Sequence, residues 1–546
     1  MHPSHSSNPL QRLEQLNRIG IALSKERDKA KLLETILVAA KTLLNADGGT
    51  LYRLDEDTHQ LFFEVLHNDS LNLHLGGATG APIPFPPISL YDAQGQPNTG
   101  MVVTYAVLND VTVVIDDAYA YAGQEFDFSG THRFDQRTGY RSRSFLTVPM
   151  KNHENHIIGV FQLINAVNPE TGEVGTFSVA DRQIAESLAS QAAIALTNQH
   201  LILQLKNLFE SLIELINTAI DHKSPYTGAH CQRVPILTMM IAEVARHSEQ
   251  GKLKMFRPTP EELYEIKIAG LLHDCGKITT PVHVVDKSTK LETIFDRIHL
   301  IDTRFEVLRR DLEIAFLKEK LAILECSDPT ALLALEQRWA QQLAELDADR
   351  EYVRQSNIGG EFMDKAAKER IRHIATRRWI GADGQEQAFL SEEEIDNLCI
   401  ARGTLNASDR AIIEEHVALT MRMLNSLPWP KTLRNVAEYA GCHHERLDGT
   451  GYHRGLSEAT LPVPARIICL ADVYEALTAR DRPYKPGKLL SEALTILGRM
   501  VQDHHIDADL FDVFIRQGVW LDYAREYLPP EQIDEVDLSR IPGYTP

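Results

Sequence analysis

From residue 10 to about residue 46 the apolar positions recur at helical spacing, with Leu33, Ile36, Leu37, Ala40 and Leu43 on one face. The pattern then changes to short apolar stretches. Thr50 to Leu54, Leu61 to Val65, Val111 to Ile115, Phe145 to Pro149 and Ile157 to Leu163 read as strands. Short strands between turn signals, flanked by helices, predict an α+β domain around an antiparallel sheet. From Ser178 to about His222 the helical period returns, through Ala185, Leu188, Ala192, Leu201, Leu205, Leu208, Leu212 and Ile216. A helix that long cannot fold back on one small core. It is expected to connect two domains and to pair with its copy in a dimer.

The remainder reads as almost entirely helical. Residues 300–325 and 331–356 form two helices separated by Ser327-Asp328-Pro329-Thr330, and Leu332, Leu335, Trp339, Leu343 and Leu346 follow the 3-4 spacing of a helical hairpin. The basic stretch with Lys365, Lys368, Arg370, Arg372, Arg377 and Arg378 reads as a solvated helix face. The Pro-rich tail after Leu528 is expected to be peripheral.

A chain of 546 residues exceeds what one core can hold, so two or three domains are expected. The net charge of −20 argues against a nucleic-acid polymer as partner. A metal site could still supply local positive charge for a small phosphate ligand. The six cysteines begin at Cys231, and their spacing suggests neither a disulfide framework nor a CxxC zinc site. The first residues lack a basic start and an apolar core, and no apolar run approaches the ~20 residues of a membrane span. A cytoplasmic location without a membrane partner is expected.

Candidate chemistry lies in the second half. His230, His273-Asp274, His416, His443-His444 and Asp472 sit on segments that read as helices and could be gathered around one metal centre. The apolar run with Leu263, Ile266 and Leu271-Leu272 should bury the helix that carries His273 and Asp274. Imidazole and carboxylate together suit Fe, Mn or Zn. Lys277 follows Asp274 by one helical turn, within reach of a phosphate oxygen bound there. Adjacent histidines on one helix point about 100° apart, so His443 and His444 serve two neighbouring metals more easily than one. Asp472 lies in a mostly buried helix, where an unpaired carboxylate would be costly.

Residues 205–525 resemble an HD-GYP domain, the branch of the HD phosphohydrolases that hydrolyses cyclic di-GMP. The resemblance rests on the motifs HDxGK at His273–Lys277, HHExxDGxGY at His443–Tyr452 and ADVYEALT at Ala471–Thr478, in that order. It implies an all-α domain with two divalent metals, iron first and manganese as the alternative. The implied ligands are His230, His273, Asp274, His416, His443, His444 and Asp472, with Asp274 bridging. It further implies that Lys277 contacts phosphate, that Arg482 and Lys485 lie near the substrate phosphates, and that the products are pGpG, GMP or both. A weakly catalytic cyclic di-GMP receptor signalling through an insertion, or a hydrolase of another cyclic dinucleotide, stands as the alternative.

Three departures from the family pattern stand out. The segment Lys287-Ser288-Thr289-Lys290-Leu291 should lead directly into the next histidine-bearing helix, but the matching helix resumes only at Leu405. Residues 291–404 are therefore read as a helical insertion, and the family histidine falls at His416, not at His299. Tyr226 stands where members with three metals carry Glu, which favours two metals. His453 replaces the usual Pro after Gly451-Tyr452, with loss of a rigid φ.

Residues 27–198 resemble a GAF domain, through the run Thr138–Met150, then Gly159–Asn165 and Phe177–Asp181. Of the NK…FxxxDE signature, Asn165, Phe177 and Asp181 match, while Ala166 and Arg182 replace Lys and Glu. A cyclic nucleotide is the ligand the resemblance implies; a structural or dimerising role is the alternative. A thiol-linked bilin is excluded, because this half has no cysteine. The expected order is an N-terminal helix (1–26), the GAF sensor (27–198), a connecting helix (176–222), the HD-GYP domain (205–525) with its insertion (291–404), and a tail (526–546).

Overall fold

The computed structural model describes residues 9–545, except 27, 80, 224–229, 327–328, 361 and 481–486. The chain divides into two compact units, Met1–Phe209 and Glu210–Pro546.

The first unit opens with α1 (Pro9–Lys25) and α2 (Lys29–Leu44). The continuous helical pattern is thus cut in two, because the Asp28 side chain caps α2 by accepting from Lys31 N at 2.9 Å. The strands are β1 (Ala46–Asp55), β2 (Gln60–Asn68), β3 (Leu73–Gly76), β4 (Ile88–Ser89), β5 (Val113–Ile115), β6 (Phe145–Lys151), β7 (Ile157–Val167) and β8 (Val174–Gly175). They form an antiparallel sheet in the order β3-β2-β1-β7-β6-β5, with β4 beside β2 and β8 beside β7. The pleat sends alternate residues to opposite faces. Leu51, Leu146, Val148, Phe161 and Leu163 meet Ile36, Leu37 and Ala40 of α2, and Ala185, Leu188 and Ala192 of α5 (Val179–Lys223). On the other face Tyr52, Val160 and Phe145 meet α3 (Val102–Leu108) and the segment before α4 (Ser129–Thr138) through Val103, Ala106, Val107 and Phe128. This is the expected α+β arrangement.

The second unit is mostly helical. Its main core joins α6 (His230–Ala245) and α7 (Pro260–Leu272) to α15 (Val463–Thr478), α16 (Leu490–Gln502), α17 (Ala508–Arg516) and α18 (Val519–Tyr527). Thr259 and Glu262 form a reciprocal capping box with Pro260 in the first turn, which starts α7 sharply. Between these come α8 (Val282–Val285), α13 (Ala407–Asn425) and α14 (Val436–Gly441). The tail is not peripheral as expected. Ile533, Val536, Leu538 and Tyr544 lie against the core, Ile541 is buried, and Gln532 Nε2 donates to Thr478 O and Lys488 O at 3.0 Å each.

Residues 291–404 build a core of their own. It draws Ile301 and Phe305 from α9 (Ile298–Cys326), Leu346 and Val353 from α10 (Pro329–Asn357), and Ile371 and Ile374 from α11 (Lys365–Ala375). Phe389, just after the hairpin of β9 (Arg378–Ile380) and β10 (Glu386–Ala388), and Leu398 of α12 (Glu392–Leu398) complete it. That hairpin has only three residues per strand and no alternating pattern to reveal it in the sequence.

Candidate metal centre

Five helical segments deliver the candidate ligands. His230 opens α6, and His273 ends α7 with Asp274 just beyond. His416 lies inside α13, His443 and His444 follow α14, and Asp472 lies in α15. Gly276 lets the turn after Asp274 lie directly on α13, since a Cβ there would sit 2.1 Å from His416 O. Its N–H donates to Thr420 Oγ1 at 2.9 Å, which fixes that contact.

The seven side chains meet in three overlapping groups: His230, His273 and Asp472; His273, Asp274 and His443; and His416, His443 and His444. In each group the candidate ligand atoms lie within 4.8 Å of one another. Asp274 faces both ends. Its Oδ2 lies 3.2 Å from His273 Nε2 and 3.4 Å from His230 Nε2, while its Oδ1 lies 3.3 Å from His416 Nε2. Asp472 Oδ1 is 3.1 Å from His230 Nε2. His299, the nearer alternative to His416, is exposed on α9 and belongs to none of these groups.

The rings are held so that Nε2 points inward. Nδ1 of His273, His416 and His443 meets the carbonyl of the residue three earlier, Gly270, Ile413 and Ala440, at 2.8, 2.5 and 2.5 Å. With Nδ1 as donor, Nε2 keeps its lone pair for a metal. Nε2 of these three residues and Oδ1 of Asp274 are buried without a hydrogen bond. An unsatisfied buried polar atom costs about 1–3 kcal/mol, so four aimed at one centre fit a cation that completes them.

Charge is compensated on both sides. Burial would raise the Asp274 carboxyl, but Lys277 and His273 outweigh it and hold it well below the usual carboxylate range. Burial likewise opposes the charge of Asp472, and the bond from His230 reverses the outcome. Burial pushes His443 well down, and it carries His444 down to about 3, so both stay neutral and able to ligate. Lys277 Nζ donates to Asp274 Oδ2 at 2.6 Å.

Glu445 and Tyr452 belong to the HHExxDGxGY motif, but the motif alone gives them no role. Glu445 accepts from Arg454 N at 2.7 Å and Leu456 N at 2.8 Å, and so folds the loop that lays Tyr452 on the His444 ring at 4.8 Å. His453 in that loop has φ 94°, a conformation that proline cannot adopt. Arg482, Lys485 and Tyr226 lie outside the described residues.

The GAF signature residues do not converge on one another. Asn165 is buried, accepts from Arg143 N at 2.7 Å, and donates to Tyr140 Oη and Arg141 O at 2.9 and 2.8 Å. Phe177 fills the helix-side core, and Asp181 accepts from Ser178 N and Oγ at the start of α5.

Residues 28–196 match the family model of the GAF domain, and residues 392–510 match that of the HD domain. The chain carries a GAF domain followed by a mostly helical region with an HD domain, whose chemistry implies a divalent metal. The HD match begins inside the segment read as an insertion, and it does not reach His230, His273 or Asp274. The chain is 40% identical over 116 residues to 3′3′-cGAMP-specific phosphodiesterase 1 of Vibrio cholerae, covering 21% of this chain and 26% of that protein. It is 26% identical over 262 residues to the cyclic di-GMP phosphodiesterase of Thermotoga maritima, covering 43% of this chain and 67% of that one. The GAF domain of an Acinetobacter phosphoenolpyruvate-protein phosphotransferase aligns over 36% of this chain and 98% of its own length, at 16% identity and a TM-score of 0.26. The chain thus spans about a quarter of the Vibrio relative. Among the described residues no helix is long and apolar enough to cross a membrane.

Proposed function

We propose that the chain is a metal-dependent phosphodiesterase of HD-GYP type that hydrolyses cyclic di-GMP to pGpG, GMP or both under control of its GAF domain. The observation that carries this is the set of buried Nε2 atoms of His273, His416 and His443 with Asp274 Oδ1, unsatisfied and turned to one centre. Two divalent metals fit the three overlapping groups, one toward His230, His273 and Asp472 and one toward His416, His443 and His444. Mixed imidazole and carboxylate ligation suits iron, with manganese second. When bound, such metals supply Lewis acidity and an activated water for attack at phosphorus. The chain's own part is to orient the imidazoles through their Nδ1 partners and to exclude bulk water by burial. Lys277 brings a cation to the phosphoryl oxygens.

A homodimer fits α5, where Leu201, Leu205 and Leu208 are exposed at 4-3 spacing. A cytoplasmic enzyme fits the substrate class. The GAF residues Asn165, Phe177 and Asp181 are read as structural, which leaves the cyclic-nucleotide assignment to direct binding assays. A second reading, 3′3′-cGAMP as substrate, is favoured by the named specificity of the Vibrio relative.

The test is product analysis on anaerobically purified protein with each dinucleotide, beside Asp274→Ala. Linear product from wild type alone supports the reading, and the preferred dinucleotide chooses between substrates. Equal turnover by wild type and variant overturns it.

A further inference from the structure

His230 differs from the other histidines of the cluster in how it is held. His273, His416 and His443 each lean on a carbonyl of the preceding turn. His230 stands at the described start of α6. Its Nδ1 instead meets Glu475 Oε2, from α15. Glu475 is 1% exposed, and its other oxygen is gripped by Arg233, with Nε and Nη2 both 2.6 Å from Oε1. Arg233 follows His230 by three residues, on the same side of α6. Asp472 and Glu475 bear the same relation on α15. One helix thus supplies the imidazole and a guanidinium, and the other supplies a carboxylate facing the centre and a carboxylate behind it.

We propose that Glu475 is a positioning residue, clamped by Arg233, that turns His230 Nε2 into the centre and so sets the affinity of the metal beside His230 and Asp472. The inference rests on the metal reading above. Loss of the carboxylate removes the Nδ1 partner that orients the His230 ring. The effect should therefore fall on one metal position. A contact that only held α6 to α15 would affect both positions through the fold. Gln at 475 keeps an oxygen that can accept from Nδ1 while removing the charge. It separates orientation from electrostatics.

The experiment uses the full chain, stripped of metal and titrated with Mn²⁺, with bound metal counted by mass spectrometry and melting of the metal-free proteins followed in parallel. Wild type should bind two equivalents. Glu475→Ala should keep one near wild-type affinity and bind the other about 10- to 100-fold more weakly. Glu475→Gln should show a smaller loss at the same position. If Glu475→Ala fails to fold, Glu475→Gln decides. A folded variant that binds both equivalents as wild type does, or weakens both equally, overturns the proposal. A wild type that takes up no Mn²⁺ overturns the metal reading itself, and this inference with it.

Discussion

Asp274 Oδ1 lies 3.3 Å from His416 Nε2, although α9 to α12 intervene along the chain. The other oxygen, Oδ2, is held by Lys277 Nζ at 2.6 Å. Lys277 therefore occupies the carboxylate oxygen that also faces His230 and His273. A metal at that position must compete with the ammonium. Lys277→Met removes the competitor and leaves Asp274 uncompensated, so Mn²⁺ affinity should stay equal or rise. Turnover should fall on the order of 10²-fold, because a cation aimed at the phosphoryl oxygens is lost. Metal isotherms and steady-state rates on one preparation check this. Parallel loss of metal and activity would sink it.

The His453 backbone, at φ 94°, lies where a residue with a Cβ is strained. His453→Gly should stabilise the second unit by about 1 kcal/mol or less, part of the relief being offset by the greater freedom of unfolded glycine. His453→Pro, with φ locked near −65°, should destabilise the loop and reduce turnover. Melting curves decide. A more stable proline variant would contradict the backbone conformation.

Most of the fold class and the membership of the cluster could be read from the sequence, because both rest on local pattern. His416 could be found across the intervening residues because Leu405–Arg410 resembles the family's segment before that histidine, and in the structure Asn406 and Asp409 form a capping box there. Contacts made only by tertiary packing could not be read. Glu475 lies in the ADVYEALT motif, but its role comes from the position of α6 against α15, which the motif does not show. Ile533, Val536, Leu538 and Ile541 are spaced with no regular period, so the tail's packing against the core had no signal. The break before α2 depends on one side chain, Asp28, within an otherwise continuous helical pattern.

Asp302 joins the two long helices of the hairpin. Its Oδ1 is 2.8 Å from Arg350 Nε and its Oδ2 is 2.9 Å from Arg354 Nη2. Burial would raise its carboxyl, but the guanidiniums of Arg354 and Arg350 outweigh that and lower it. A carboxyl lowered in the folded state contributes stability above its ordinary pKa of about 4 and loses it as pH falls through the lower folded value. Amide exchange in α9 and α10, taken relative to its intrinsic rate at each pH, should therefore quicken in acid. In Asp302→Asn it should be faster already at neutral pH and less sensitive to acid. Identical exchange in both proteins at neutral pH would refute the coupling.

Lys290 closes the base of the 291–404 segment. It is 2% exposed, and its Nζ donates to Leu398 O at 3.0 Å and Ile400 O at 2.9 Å. Lys287 acts beside it, on Asn397 Oδ1 at 3.0 Å and Asp409 Oδ2 at 2.7 Å, and Asp409 lies in the first turn of α13. The two lysines thus tie the returning chain to the helix that carries His416. Lys290→Met keeps the bulk but leaves two buried carbonyls without a donor. The expected cost is about 2–6 kcal/mol, taking 1–3 kcal/mol for each unsatisfied group. Because α13 starts just beyond this closure, affinity for metal at the His416 position should also fall, while the position beside His230 should change less. Melting of the metal-free protein and Mn²⁺ titration of Lys290→Met test both parts. An unchanged melting curve would show that the closure does not depend on Lys290.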